Sequence, residues 1–452
     1  MKKIIINIII ISIYIMFSYE LTLAADSYEI NLENPIDSSQ LKATKITPVF
    51  DTKITTGENL IYSSTFQMAW NSLCKDFLKD KTAEIEDSFD YAKTLNSRIN
   101  EPLNIPKDSC FAISGTAKEK IIEKINNNQL NKNIKIDQTL SDDSIMLIAN
   151  MKKNITFEHE FEKLYIHENF YNVPEKRFEE DYYKYLIQIE WFGIDDYDRD
   201  NAKHQLLKKQ FEVLYKNSIS YSNEPNALPT GFILKLISTS KNDDIFLSTI
   251  EPKNTLAETY KMIDDLINKN YLSYINVNNI DADTEEKAKK SFLKKISNAV
   301  AGLCTFPNFG YGTILKIPEI KINIQHNYFN KIKTVTGNNA LINKLTQYIC
   351  FEMINKNNPV KKIEHSGVGS YGNNSPNLSI NVPFIIILRN KSSQYPYFMA
   401  YICNEEFLVK SKKNRKRLRK LGRDRYPGSS YEFTDEVNIE KIDLNKYNIM
   451  DL

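Results

Sequence analysis

The chain has 452 residues, 42% apolar and 26% charged, the balance of a globular protein large enough for one mixed domain. A formal net charge of +2 gives no general attraction to nucleic acid, and 13 glycines with 15 prolines exclude a fibrous or linker-rich architecture.

At the N-terminus Lys2 and Lys3 precede an apolar run from Ile4 to Phe17, and small residues follow at Thr22, Ala24 and Ala25. This is the three-part pattern of a secretory signal peptide, with cleavage expected after Ala24 or Ala25. The run is short for a membrane span, which needs about 20 apolar residues. Residues 26–57 read as an irregular lead-in. A short strand, Leu60-Ile61-Tyr62, then leads into a helix. Phe66, Ala69, Trp70, Leu73 and Phe77 recur on one face of that helix, and Ser63, Ser64 or Thr65 is placed to cap it.

Further helices are predicted over 116–131 and 283–299, and a helix followed by an extended end over 256–275. An apolar strand is predicted over 144–152, followed by an amphipathic stretch. Strands and a short helix are predicted within 175–220, and a hairpin over 231–252 turning at Lys241–Asp244. The stretch 312–324 reads as one strand, with Pro318 where a backbone donor is not needed. An apolar run from Tyr348 to Ile354 leads into a long segment without regular period. The strand-like runs at 382–389 and 397–400 follow that segment. A long unpatterned segment between core strands is commonly functional.

The five cysteines, Cys74, Cys110, Cys304, Cys350 and Cys403, are far apart and lack metal-ligand spacing. Their odd number leaves at least one unpaired within the chain. They are expected as small buried apolar residues, with a single disulfide left open. His159, His167, His204, His326 and His365 are scattered, and HxxxH, HExxH and GxSxG are absent. No enzyme activity, metal or cofactor is therefore expected. The glycines between Gly367 and Gly372 lack the strand–glycine–helix context of a nucleotide site and read as loop.

Several separated blocks, in order, resemble the serpins, the serine-protease-inhibitor family. Asn59-Leu-Ile-Tyr-Ser63 and the Met68-Ala69 helix are similar to that family's short strand and second helix. Leu147-Ile-Ala-Asn150, with Phe161 beyond it, resembles the asparagine-bearing strand at the centre of its main sheet. Ile317-Pro318-Glu319-Ile320-Lys321-Ile322 resembles its Leu-Pro-Lys-Phe-x-Ile strand. Val382-Pro383-Phe384 through Arg389, and Tyr397-Phe398-Met399-Ala400, resemble its last two strands.

The resemblance implies an α+β fold: a serpin-like single domain with three β-sheets, eight or nine helices and an exposed reactive loop. It divides the chain into a signal peptide over 1–25, a serpin-like domain over 26–404 and a basic extension over 405–452. For an inhibitor it implies a trap: a protease cuts the loop, and the loop's N-terminal half enters the main sheet as a new strand.

An inserting strand needs backbone donors and side chains that fit inside a sheet. The family's Glu-x-Gly-Thr start and run of small residues meet that need. Here the hinge reads Asn355, Lys356, Asn357, Asn358 and Pro359, followed by Val360, Lys361 and Lys362. Proline removes a ladder donor, and adjacent lysines point to opposite faces of a strand, so one would be buried. Phe66 stands where the family places a hydroxyl network, and the tryptophan expected after the Asn150 strand is absent, with Phe157 or Glu158 in its neighbourhood. Counting from the hinge puts the cleavage position at Tyr371; counting back from Pro383 puts it at Gly372. Tyrosine before the cut suits a chymotrypsin-like protease.

Beyond Asn404, ten Lys or Arg residues lie between Lys410 and Arg425 against one acid, Asp424. Lys412, Lys413, Arg415, Lys416, Arg417, Arg419 and Lys420 are the candidate contacts to a heparin-like polyanion or an anionic membrane surface. Nucleic acid is not an expected partner of a secreted chain. The resulting expectation is a secreted, monomeric, non-inhibitory binding or protease-substrate member of the family. The alternative is a working inhibitor of an extracellular chymotrypsin-like serine (or cysteine) protease.

Overall fold

A run such as Phe384-Ile-Ile-Ile-Leu388, apolar at every position, has no solvent face and so must be covered on both sides. The computed structural model describes residues 34–410 except 80, 86–88, 100, 102, 116–120, 124, 126–144, 165–188, 195–205, 217–230, 278–313, 330–332, 336–339 and 356–376. The chain divides into two units, Met1–Lys410 and Ser411–Leu452, and the second lies outside the described residues.

In chain order the described elements begin with β1 (Ile36–Asp37), β2 (Thr44–Thr47), β3 (Asn59–Ser63), α1 (Thr65–Ser72) and α2 (Ala92–Ser97). Next come β4 (Cys110–Gly115), β5 (Ile145–Asn154), β6 (Glu162–Leu164), β7 (Trp191–Ile194) and β8 (Phe211–Lys216). β9 (Phe232–Leu236), β10 (Asp243–Ser248), α3 (Leu256–Val277), β11 (Ile314–Pro318) and β12 (Ile320–Asn327) follow. The last are β13 (Lys333–Val335), β14 (Ala340–Met353), β15 (Asn377–Ser379), β16 (Phe384–Asn390) and β17 (Pro396–Ile402).

They form three sheets. The main sheet runs β1-β12-β14-β5-β4, with β13 also paired to β14; a seven-stranded sheet runs β2-β3-β17-β16-β10-β9-β8; a small sheet runs β15-β11-β7-β6. At the centre of the main sheet β14 and β5 are parallel, with Leu345 opposite Leu147 and Glu352 opposite Asn154. Their outer neighbours β12 and β4 are antiparallel to them.

The principal core lies between the sheets. Ile349, Phe351 and Met353 of β14 pack with Phe384, Ile386 and Leu388 of β16, and Phe351 stacks on Phe398 at 5.2 Å. The alternate residues Ile385 and Ile387 turn the other way and meet Leu256, Tyr260 and Ile263 of α3. That alternation explains the unbroken apolar run. The other face of the main sheet gathers Ile113, Ile121, Ile148 and Tyr348.

Helix α1 buries Phe66, Ala69 and Trp70, together with Leu73 just beyond it, against Leu147, Ala149 and Leu345. Ser64 does not cap it by side chain; its hydroxyl donates to the Tyr397 carbonyl at 3.2 Å. α3 does begin on a cap, because Thr255 Oγ1 accepts from the Glu258 amide at 3.2 Å.

The stretch expected as one strand over 312–324 is two, β11 and β12, in different sheets. The chain changes sheet at Pro318 and Glu319, where Pro318 pairs with Trp191 and the Glu319 amide donates to the Glu190 carbonyl. The hairpin turn also falls earlier than expected: Asp243 and Asp244 are in β10, opposite Asn390 and Arg389. Arg389 compensates Asp244, reaching it at 3.5 Å, and also Asp264 at 2.9 Å.

One buried ion pair joins two sheets. Lys153 near the end of β5 bonds Asp243 at the start of β10, with side-chain exposures of 7% and 1%. Ser109 and Ser240 hydroxyls lie 3.4 and 3.3 Å from the ammonium, and Ser240 also donates to Asp243 at 2.6 Å.

Candidate functional site

Because β5 and β14 are parallel, both end at the same edge of the main sheet. Met353 closes β14, and Asn355 is the last described residue before 356–376. The Asn355 side-chain amide donates to the Phe161 carbonyl at 2.5 Å, and its backbone amide donates to Glu319 Oε1 at 3.3 Å. Glu319 is buried, and burial pushes its carboxyl above the usual range against the opposing pull of Lys163. Lys163 Nζ lies 3.1 Å from Glu190 and 3.9 Å from Glu319. The root of the segment is thus tied to β6, β7 and the β11–β12 junction together.

The β5–β14 seam is closed: the two strands bond directly from Leu345–Leu147 to Glu352–Asn154. A strand entering here from the end of β14 would turn back and run antiparallel to both. It would first have to break their ladder. It would then have the apolar contacts of Ile349 and Phe351 on one face and those of Tyr348 and Ile148 on the other.

Beneath the seam, Gln347 ties β14 to the start of α1. Its Nε2 donates to the Ser63 carbonyl at 3.1 Å and to Thr65 Oγ1 at 3.2 Å, while its Oε1 accepts from Tyr328 OH at 2.7 Å. Ser63 and Thr65 hydroxyls are 3.1 Å apart. Phe66 is fully buried beside this network, 4.4 Å from the Tyr328 ring. Phe66 therefore fills an apolar slot, as its position implied. The polar links under the seam come from Ser63, Thr65, Gln347 and Tyr328 instead. Where a tryptophan was expected after β5, Phe157 packs edge to face on Phe161 at 4.8 Å, with Phe192 behind them.

Of the residues expected to act, the structure places Asn355. Asn357, Asn358 and Pro359, the cleavage candidates Tyr371 and Gly372, and the basic residues Lys412, Lys413, Arg415, Lys416, Arg417, Arg419 and Lys420 lie outside the described residues. Sequence reasoning missed Glu319, Lys163, Glu190 and Gln347. Gln347 had a readable signal, a polar residue in phase with the buried face of an apolar strand. Cys74, Cys110, Cys350 and Cys403 are buried, as expected of small apolar residues.

No protein-family model matches the chain. No curated protein matches it either. Among solved structures it is similar to native protease nexin-1 with heparin, at 11% identity and TM-score 0.39 over 77% of this chain and 92% of that one. It is also similar to a tumour suppressing serpin (12%, TM-score 0.37, 76% and 92%) and to thyroxine-binding globulin in complex with thyroxine (11%, 0.37, 76% and 92%).

Proposed function

We propose that the protein is a secreted, serpin-like binding or protease-substrate protein that does not trap proteases. Four placements support the family reading. The Asn150 strand is at the centre of the main sheet; the Asn59 strand adjoins β17; α1 lies under the main sheet; and β16 and β17 are neighbours. The parallel β5–β14 seam, followed directly by the long unpatterned segment, supports it further.

The observation that carries the non-inhibitory reading is the root of that segment. Asn355 is held by two bonds, and beyond it stand Pro359, Lys361 and Lys362. Inserting a strand of about ten residues gains roughly 1 kcal/mol net per ladder bond, or about 10 kcal/mol. One lysine buried without a partner costs several kcal/mol, on the order of 3–5, and proline forfeits a further bond. About half the driving force is gone before the β5–β14 ladder has been opened.

The alternative, a functional inhibitor of an extracellular chymotrypsin-like serine or cysteine protease, is favoured by the closed seam, since direct β5–β14 pairing leaves insertion still to occur. In both readings the signal peptide directs the monomer outside the cell. The basic residues from Lys412 to Lys420 would then hold it to a heparin-like polyanion or an anionic membrane surface.

Incubation with chymotrypsin-like and trypsin-like proteases, read on a denaturing gel, separates the two. Cleavage near Tyr371 or Gly372 with no high-mass adduct, and no large rise in melting temperature of the cut form, is expected. A stable adduct would sink the non-inhibitory reading. Neutralising the seven basic residues is expected to abolish heparin-column retention; unchanged retention would remove their role.

A further inference from the structure

Beside the end of β12 the molecule opens a recess of about 480 Å³, bordered by residues of the β1–β2 segment and by the residues just before α2. Its size falls within the range of small-molecule sites, roughly 300–1,000 Å³.

Its walls are aromatic. Tyr328 meets Phe89 with ring centroids 6.1 Å apart and His326 at 4.3 Å, and Phe89 meets Tyr91 at 5.4 Å. All three contacts are edge to face. Tyr328 is fixed further by its bond to Gln347, and the His326 ring by Ser38 Oγ, 2.6 Å from Nδ1. These rings are ordered before any ligand arrives, so little conformational freedom is lost on binding.

Its charge is acidic. Among the described residues, two exposed carboxylates, Glu58 and Asp90, border the recess against one ammonium, Lys45. Burial holds His326 down to about 4, so the imidazole adds no positive charge at neutral pH. An anion would meet two carboxylates, and a plain hydrocarbon would use none of the polar border. A cation attached to a ring uses both: aromatic edges and faces take the ring, and the carboxylates and π-faces take the charge.

We propose that this recess binds an arylalkylamine, with its single ring against Phe89, Tyr91 and Tyr328 and its ammonium paired to Glu58 or Asp90. The proposal uses nothing of the segment after β14 and stands apart from the function proposed above. Because Tyr328 also holds Gln347, an occupied recess would brace β14 from below.

The test is thermal unfolding of the full-length protein with tyramine as probe. A rise of about 2 °C is expected at a tenfold excess over Kd. Neither 4-ethylphenol, which lacks the ammonium, nor butylamine, which lacks the ring, should match it. The Glu58→Gln/Asp90→Asn variant should melt like the parent without ligand, because both side chains are exposed, and should bind tyramine at least about tenfold more weakly. No rise with tyramine, an equal rise with either control, or an undiminished rise in the double variant would overturn the proposal.

Discussion

Replacing Asp243 with alanine leaves the Lys153 ammonium almost dry, with 7% of its side chain exposed and two serine hydroxyls for company. Breaking a buried pair from one side costs about 3–5 kcal/mol, because the surviving charge has neither water nor counterion. Unfolding entropy of roughly 2.1 cal/mol/K per residue over about 380 residues gives about 0.8 kcal/mol per degree, so Asp243→Ala should lower Tm by about 4–6 °C. Replacing both partners, Lys153→Met with Asp243→Leu, removes the charge together with its counterion. That variant should recover to within about 1 kcal/mol of the parent. Calorimetric melting and urea titration of the three proteins at pH 7 measure this directly. If Asp243→Ala melts within about 1 °C of the parent, or if the double variant is no better than the single one, the pair is not the sheet-to-sheet tie described here.

His326 sets a pH dependence. Its folded pKa of about 4 lies below the ordinary 6.5, so the unfolded chain binds the proton more readily. Stability is therefore full above pH 6.5 and falls as pH drops towards 4, by at most about 3 kcal/mol. Urea midpoints at pH 7 and pH 4.5 should converge in His326→Gln relative to the parent; an identical acid loss in both would refute the assignment. Gly193 has φ +153°, and a Cβ there would stand 1.8 Å from the Leu315 carbonyl oxygen. Gly193→Ala should cost about 3 kcal/mol or more by denaturant titration, and a loss below 1 kcal/mol would contradict the close β7–β11 approach. Burial pushes the Cys74 and Cys403 thiols up to about 11 and about 12 and raises Cys110 as well. At pH 8 these thiols stay protonated, so a thiol reagent should modify no more than Cys304 until the protein unfolds. Two fast-reacting thiols in the native state would be the contrary result.

What could be read in the sequence was what local pattern controls. The i, i+3, i+4, i+7 spacing of Phe66, Ala69, Trp70 and Leu73 marked α1, and the apolar run 384–388 marked a strand. The break at Pro318–Glu319 was hidden, because β11 and β12 have the same alternating character and only the sheet assignment separates them. Lys153 and Asp243 could not be paired from sequence. They lie on strands of different sheets, and each alone reads as an ordinary surface charge. The site divides the same way. Asn355 stood out at the end of an apolar strand, but its partners come from Phe161 and Glu319, brought near only by the tertiary fold.

The parallel seam has a consequence for how the chain is made. Ile145 and Ile342 face each other across it, although they lie nearly 200 residues apart, a strongly non-local contact. During synthesis β5 emerges long before β14 exists, and one of its edges stays unpaired throughout that interval. A ten-residue strand whose first five residues are all apolar, with a bare edge, invites pairing with other chains. The centre of the main sheet therefore cannot close until β14 has emerged, and the yield of soluble protein depends on how quickly β14 reaches it.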